Sequence, residues 1–371
     1  MSQPDQAADQ PENLTDAEAR AHLGLGSGGL DRKKTIIGGI VAIVFLAIVF
    51  TRVIPQVGNY AEAADYIKAM SAASIAVLVG ITLVYLWIYG WPFVAAAPGL
   101  KYKDGFIVNQ SAFAISNGVP AGGAVGLGLQ YAQLTSYKVS PTAATAAIGA
   151  TGVWSVFITL FLPVTGIAAL AASGDDAGKY VKGAVIGFAA LVVVVGLFAL
   201  ILRSETNAIR IGGFLDKVVN GVLGKFKKGP VDVTAAIVRL RRDIVGLVAK
   251  RWLVITIAQI AVSWGQFAIL YAALAGISGG NSPIPLLAAY GCFAISQLGI
   301  MIPITPGGLG TVDAALIALL TSVGVDNGAA TAADLVWRAS SYIPQMAIGL
   351  VSIFYWRWDT ARQKKQEAQP A

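Results

Sequence analysis

Long apolar runs are the feature that most constrains what this chain can fold into. Six of them are long enough to cross a bilayer as a helix, which takes about 20 residues. They are residues 35–54, 72–93, 142–172, 183–202, 252–275 and 333–356. Only 13% of the 371 residues are charged, against about a quarter in soluble domains. Because lipid offers no hydrogen-bond partners to exposed backbone N–H and C=O groups, we expect an all-α polytopic membrane protein.

Two further apolar regions are interrupted by proline and paired glycines. Residues 105–137 contain Asn-Gly-Val-Pro-Ala-Gly-Gly at positions 117–123, and residues 284–322 contain Pro-Gly-Gly-Leu-Gly at positions 306–310. Proline ends a helix and glycine frees the backbone. Each region either crosses once as a broken helix or enters and returns as a re-entrant helical hairpin.

Basic residues favour the hairpins. Loops rich in Lys and Arg face the cytoplasm, and such clusters lie just before residue 35, within 203–251 and after residue 356. Only with two hairpins do all three clusters lie on one side. We therefore expect cytoplasmic termini, a first hairpin that enters from the cytoplasm and a second that enters from outside.

This topology predicts five parts of the chain. They are a disordered cytoplasmic tail (1–34), a first membrane half (35–202), a cytoplasmic loop (203–251), a second membrane half (252–357) and a cytoplasmic tail (358–371). Apolar positions in 203–251 recur near helical spacing. This pattern is typical of amphipathic helices on the membrane surface, or of a small cap packed on itself.

The two interrupted regions resemble each other. Phe-Ala-Ile-Ser at 113–116 recurs at 293–296, and each copy is followed by a proline, a Gly-Gly pair and an Ala-rich span with a tryptophan, Trp154 or Trp337. The alternative is chance similarity in Ala- and Gly-rich sequence. If the repeat is real, its copies are inverted, and inverted repeats with discontinuous helices that meet near the midplane are typical of transporters.

The helices that follow the breaks should begin near Gly122 and Gly307. Unpaired N–H groups and the helix dipole at such ends favour an anion, and a lipid phosphate is the obvious one in a membrane. Alternatively, these glycines only allow close helix packing. The candidate substrate-binding residues are Asn117, Pro120, Gly122, Gly123, Gln130, Tyr131, Pro306, Gly307, Gly308, Gly310, Asp313 and Arg338.

Three charged residues fall at or near membrane depth, Asp313, Asp334 and Arg338. One interpretation is an internal ion pair between Arg338 and either Asp313 or Asp334. In the other, Arg338 supplements the phosphate site while Asp313 takes a cationic headgroup or a coupling proton. A third possibility for Asp334 is a position at the external interface, where it needs no partner.

Uncharged polar residues within the apolar regions either line a headgroup path or join helices by hydrogen bonds. In the first half they are Asn109, Gln110, Asn117, Gln130, Tyr131 and Gln133, and in the second Gln259, Gln266, Gln297 and Gln345. Gln130 and Gln133, three residues apart, should share one helix face.

Several chemistries are excluded. His22 is the only histidine and Cys292 the only cysteine, so we expect no metal site, disulfide framework or embedded Ser-His-Asp triad. No nucleotide-binding loop is present, and we expect no cofactor. The net charge of +7 fits basic loops beside anionic lipid better than nucleic acid.

The motifs at 116–126 and 303–313 resemble those of the lysylphosphatidylglycerol synthase transmembrane family, also called flippase-like proteins. The resemblance covers about residues 35–357. It implies movement of a lipid between leaflets, with relatives that associate with different lipids, including polyprenyl-linked sugars. Family members commonly have Glu near the position of Asp313. The best-known members also carry a soluble aminoacyl-transferase domain, whereas only a short polar tail follows Trp358 here.

We therefore expect a flippase in the cell membrane that moves a phosphate-bearing lipid, either a phospholipid or a polyprenyl-phosphate-linked one. The alternatives are an integral enzyme that transfers a group to a lipid headgroup, and a membrane subunit for a separate lipid-modifying synthase. The enzyme is less favoured, because Asp313 is the main base the membrane part offers.

Overall fold

A computed structural model describes residues 60–118, 122–173, 189, 192–225, 232–301 and 306–367. These residues form twelve α-helices and no strand, which confirms the all-α prediction. The first six helices are α1 (Tyr60–Lys68), α2 (Ala72–Ile88), α3 (Trp91–Ala96), α4 (Tyr102–Gly118), α5 (Gly122–Ser136) and α6 (Pro141–Ser173). The others are α7 (Val192–Arg203), α8 (Glu205–Lys225), α9 (Val233–Ile277), α10 (Leu286–Ser296), α11 (Thr311–Ser322) and α12 (Asn327–Glu367).

Three segments are long and apolar enough to cross a membrane, Ala72–Ala96, Pro141–Ser173 and Ile244–Ile277. They coincide with predicted spans 72–93, 142–172 and 252–275. The predicted span 35–54 lies outside the described residues, and 183–202 is described mainly as the shorter apolar helix α7. The span 333–356 lies within α12 and stays a prediction.

The first interrupted region forms two antiparallel helices, α4 and α5. The Gln133 amide on α5 donates a hydrogen bond to the Ser111 hydroxyl on α4 at 3.0 Å. A Cβ atom at Gly122 would overlap the carbonyl oxygen of Ile115. Glycine therefore lets α5 begin at this residue, as predicted, while residues 119–121 lie outside the described part of the chain.

The second interrupted region differs from the prediction at its break. Helix α10 continues into a short 3₁₀ turn (Gln297–Met301), and a second turn (Pro306–Gly308) precedes α11. The predicted start of the helix near Gly307 is wrong, because α11 begins at Thr311. Gly307, Gly308 and Gly310 have positive φ angles of 63°, 68° and 87°, which no right-handed helix contains and which glycine adopts without strain.

The two halves exchange equivalent contacts. Helix α4 packs on α12, and α10 packs on α6. A Cβ atom at Gly349 of α12 would lie 2.6 Å from Ala114 Cβ, and one at Gly166 of α6 would lie 2.8 Å from Ala294 Cβ. Ala114 and Ala294 hold the same position in the recurring Phe-Ala-Ile-Ser motif. Each glycine in turn lies twelve residues after the tryptophan of its half.

Helix α9 packs on α2, α3, α6 and α12. It extends without interruption from the predicted cytoplasmic loop into the span that follows. Its first turns pack on α8, which nevertheless exposes Ile209, Phe214 and Val218. In this part of the chain α8 and the start of α9 thus pack on each other, and α8 also has an exposed apolar face.

The start of α9 is held by two carboxylates. Asp232 accepts a hydrogen bond from the Ala235 N–H at 2.8 Å, and Asp216 of α8 accepts one from the Val233 N–H at 2.6 Å. Asp216 also accepts from the Thr234 hydroxyl. These bonds, the hydroxyl bond first, lower the pKa of Asp216 below its ordinary value.

Candidate functional site

A polar cavity of about 310 Å³ lies where the two broken regions meet. Asn117 reaches it from the end of α4, Gly307 from the second break, and Arg338 and Tyr342 from α12. Three glutamines, Gln259, Gln266 and Gln297, also lie on its wall. The cavity thus collects polar groups from both halves of the chain.

Gly307 fits closely between the two halves. The Tyr342 hydroxyl donates a hydrogen bond to the Gly307 carbonyl at 2.8 Å. A Cβ atom at Gly307 would overlap both the Asn117 side-chain oxygen and the Tyr342 hydroxyl. Glycine at this position is required by its positive φ angle and by the approach of the other half.

Arg338 provides the positive charge of the cavity. Its Nε donates to Asp313 Oδ1 in a buried ion pair, and its guanidinium carbon lies 4.5 Å and 4.7 Å from the ring centroids of Trp337 and Tyr342. Its Nη2 is buried and has no hydrogen-bond partner among the described residues. Of the two acids considered for the ion pair, Asp313 is the partner.

Asp313 sits behind Arg338, at the third position of α11. It is 0% exposed, and its second oxygen accepts a hydrogen bond from the Gly310 N–H. Both oxygens therefore have partners within the protein. The carboxylate neutralises the guanidinium and holds the start of α11, where an acidic residue complements the helix dipole.

Asp334 lies one turn before Arg338 on α12. Its side chain is 0% exposed, so it is not open to solvent in the way expected of a carboxylate at the external interface. Neither of its oxygens has a hydrogen-bond partner among the described residues. Asp313 and Arg338 both lie close enough to interact electrostatically with the Asp334 carboxyl group.

A second polar cavity of about 230 Å³ adjoins the first. The two linings share Tyr89, Ser155, Gln259 and Val262. Asn109, Gln130 and Thr151 lie on the second cavity alone. Together the two adjoining cavities extend from Arg338 to the side of the α4–α5 pair.

Four of the predicted site residues line this space. They are Asn117, Gly307 and Arg338 in the first cavity and Gln130 in the second. Pro120 lies outside the described residues, and Pro306 begins the turn before α11.

The remaining predicted residues support the site or lie away from it. Gly122, Gly308 and Gly310 are buried, Tyr131 packs in the core, Asp313 holds Arg338 and Gly123 is exposed. Gln110, Gln133 and Gln345 are buried and line neither cavity. Gln130 and Gln133 thus do not share a cavity, because Gln133 turns toward Ser111 of α4.

The sequence did not identify Tyr342, Tyr89 and Ser155 as residues that line the cavities. Tyr342 follows Arg338 by four residues, so the two share a helix face, and this spacing was a usable signal. Tyr89 and Ser155 had no such signal. Each becomes polar lining only because α2 and α6 pack on α9 around the same space.

These features define a class, that of multi-pass helical membrane proteins with a polar cavity between two broken regions. A model of the lysylphosphatidylglycerol synthase TM region matches residues 35–349. The chain belongs to this family, which confirms the resemblance drawn from the glycine motifs. A comparison with curated proteins finds no match.

Proposed function

We propose that this protein is a flippase, which moves a phosphate-bearing lipid between the leaflets of the cell membrane. The substrate is a phospholipid or a polyprenyl-phosphate-linked lipid, whose headgroup enters the polar cavity while its chains stay in the bilayer. The observation that carries the proposal is Arg338, a residue of the cavity lining whose guanidinium carries a buried nitrogen, Nη2, with no hydrogen-bond partner among the described residues.

Arginine is suited to this role because its planar guanidinium binds phosphate through paired, charge-assisted hydrogen bonds. The bond from Nε to Asp313 and the rings of Trp337 and Tyr342 fix its orientation. A phosphate would meet a donor that is already positioned, so little ordering is needed on binding.

Two re-entrant hairpins explain how one site could serve both leaflets. In this proposal α4–α5 enters from the cytoplasm and α10–α11 from outside, as the basic loops predict. The exchanged contacts of Gly349 with Ala114 and of Gly166 with Ala294 support an inverted repeat. Rocking of one repeat against the other would then expose the cavity to each side in turn.

The test is a lipid-translocation assay with purified protein in liposomes, using phosphatidylglycerol with a reporter on the headgroup. Arg338→Gln should reduce the rate at least about tenfold, because a positioned charged donor to phosphate is lost. Arg362→Gln is the matched control, since Arg362 is exposed on the same helix, and it should leave the rate unchanged. Equal rates for wild type and Arg338→Gln would refute the proposal.

The family's name favours a second candidate function, a membrane subunit that works with a separate lipid-modifying synthase. Translocation by the purified chain alone would argue against it. If the chain alone moved no lipid while Arg338→Gln impaired lipid modification by an added synthase, the subunit function would be preferred.

A further inference from the structure

We infer that Asp313 and Asp334 hold one proton between them and that this proton travels with the lipid phosphate, so that lipid movement is coupled to a proton gradient. The proton site follows from the surroundings of the two carboxyl groups. Its use in transport rests on the proposed function, and a separate measurement tests each part.

Asp313 has the surroundings of an ionised carboxylate. Its Oδ1 accepts a hydrogen bond from Arg338 Nε, and its Oδ2 accepts one from the Gly310 N–H. Donors on both oxygens stabilise the charged form of a carboxyl group. Asp313 and Arg338 therefore form an ion pair whose net charge is zero.

Asp334 has the opposite surroundings. Its side chain is 0% exposed, and neither oxygen has a hydrogen-bond partner among the described residues. It also lies beside the Asp313 carboxylate. A second carboxylate that is desolvated, without a donor and next to a like charge is strongly unfavourable. A proton on Asp334 removes that charge and provides an O–H that can donate to Asp313. Because the two acids are adjacent, the proton belongs to the pair.

The other helices around α12 bring no further charge to this pair. Within the described residues, the charged groups that interact with Asp334 are Asp313 on α11 and Arg338 on α12 itself. Of the other helices packed on α12, α2 and the predicted span of α9 contain no charged residue. Helix α1 holds Glu62 against Gly328, near the start of α12. The charged residues of α4 lie in its first turn, beside the other end of α12.

Arg338 connects the shared proton to the cavity, since it belongs to the cavity lining and its Nε donates to Asp313. With one proton on the acid pair, the three side chains carry no net charge, so a bound phosphate makes the cluster negative. Loss of the proton would then add a second negative charge at short range. Phosphate therefore strengthens proton binding, and by linkage the proton strengthens phosphate binding to the same extent.

Joint binding gives transport a simple charge balance. The proton on the acid pair compensates the negative charge of the lipid phosphate. The pair takes this proton from the side on which the lipid enters. When the cavity opens to the other side, water stabilises the Asp334 carboxylate, and the proton leaves there with the lipid. Movement of an anionic phospholipid with its proton is electroneutral, so a pH difference drives it and the membrane potential does not.

Infrared spectroscopy tests the proton site without any transport. Purified full-length protein in an ester-free detergent at neutral pH should show the carbonyl absorption of a protonated carboxyl group, which Asp334→Asn should abolish. Asparagine is the matched replacement, because its amide can donate to Asp313 as the protonated acid does. Asp65→Asn, at an exposed position of α1, is the control and should keep the absorption. Its absence from the wild type, or its persistence in Asp334→Asn, would overturn the proton site.

A leaflet-distribution assay tests the coupling. Trace phosphatidylglycerol with a reporter on the headgroup is added to liposomes that contain the purified protein, with valinomycin and equal potassium to hold the potential at zero. With one proton per lipid, a difference of about one pH unit should enrich the lipid about tenfold in the leaflet that faces the more alkaline side. Asp334→Asn has no proton to release at this position and should distribute the lipid evenly at any pH difference. Asp65→Asn should behave as the wild type.

The outcomes separate this inference from the proposed function. Even distribution by a wild-type protein that does translocate the lipid would overturn the coupling and leave the proposed function intact. Enrichment by Asp334→Asn equal to that of the wild type would also overturn the coupling. If the wild type moved no lipid, the coupling would fall together with the proposed function, and the infrared absorption alone would decide the proton site.

Discussion

Arg338 has two acidic neighbours whose surroundings differ. Asp313 accepts hydrogen bonds from Arg338 and from a backbone N–H, whereas Asp334 is equally buried and has no partner among the described residues. The sequence places all three charged residues at or near membrane depth, and an internal ion pair of Arg338 with either acid is one of the two interpretations that it allows. Which acid pairs could not be predicted, because it depends on how α11 lies against α12 rather than on spacing along the chain.

Replacing either acid by its amide should have opposite effects. Asp313→Asn leaves Arg338 buried without a counter-charge, which should cost about 3–5 kcal/mol of stability. Asp334→Asn should be neutral or stabilising, because it removes a buried acid that lies beside the Asp313 carboxylate and has no hydrogen-bond partner among the described residues. Thermal unfolding in detergent measures both, and a larger loss for Asp334→Asn would contradict this account.

Gly307 should tolerate no side chain. Gly307→Ala forces a left-handed conformation on alanine and places its Cβ atom against Asn117 and Tyr342. We expect a loss of at least about 1–3 kcal/mol together with impaired lipid translocation. Gly123→Ala serves as the control, since a Cβ atom there meets nothing within 4 Å and alanine favours the helix. An equally stable Gly307→Ala variant would show that the contact between the halves is loose.

At the scale of elements, the helix breaks were predictable and their geometry was not. Proline and paired glycines marked both interruptions, and α5 begins at Gly122 as expected. Helix α11 begins at Thr311, because Gly308 and Gly310 adopt left-handed conformations and Asp313 caps the helix from within. The glycine pattern alone does not show which of several glycines takes such a conformation.

The pairing of α8 with the start of α9 should depend on pH through Asp216. Its pKa is lowered in the folded protein, chiefly by the Thr234 hydroxyl. The carboxylate therefore stabilises this pairing above the ordinary pKa of aspartate, near 4, and the effect is lost as pH falls through the lower folded-state pKa.

Hydrogen exchange at the Val233 and Thr234 amides, both of which donate to Asp216, measures this effect once it is corrected for intrinsic rates. Exchange in the wild type should accelerate as the pH is lowered toward about 3, below the ordinary aspartate pKa. Asp216→Asn should show fast exchange already at neutral pH and little further change. Asp65→Asn, in α1, is the control and should behave as the wild type, and parallel profiles for wild type and Asp216→Asn would exclude the role of Asp216.

At the scale of the whole molecule, the chain is arranged as two halves that exchange contacts. The sequence resemblance between the halves predicts an inverted repeat, and the contacts of Gly166 with Ala294 and of Gly349 with Ala114 match in the two halves. The cavity itself was only partly predictable. Its lining comes from helices far apart in the chain, so residues such as Ser155 and Tyr89 acquire a role only through packing.

The paired hairpins make a prediction about the two sides of the membrane. If residues 105–137 and 284–322 both return to the side they enter from, Lys101 and Arg362 lie in the cytoplasm and Asn281 lies outside. All three positions are exposed, and the only native cysteine, Cys292, is buried. Single cysteines can therefore be introduced at each position in a Cys292→Ala background.

A membrane-impermeant maleimide added to intact cells should label Asn281→Cys and should label Lys101→Cys and Arg362→Cys only after the membrane is opened. If the first region crossed once, Lys101→Cys would be labelled from the same side as Asn281→Cys. If the second region crossed once, Arg362→Cys would be labelled from the same side as Asn281→Cys. Each hairpin is thus tested separately. A single crossing by either region would mean that the two regions do not enter the membrane from opposite sides, as an inverted pair of half-sites requires.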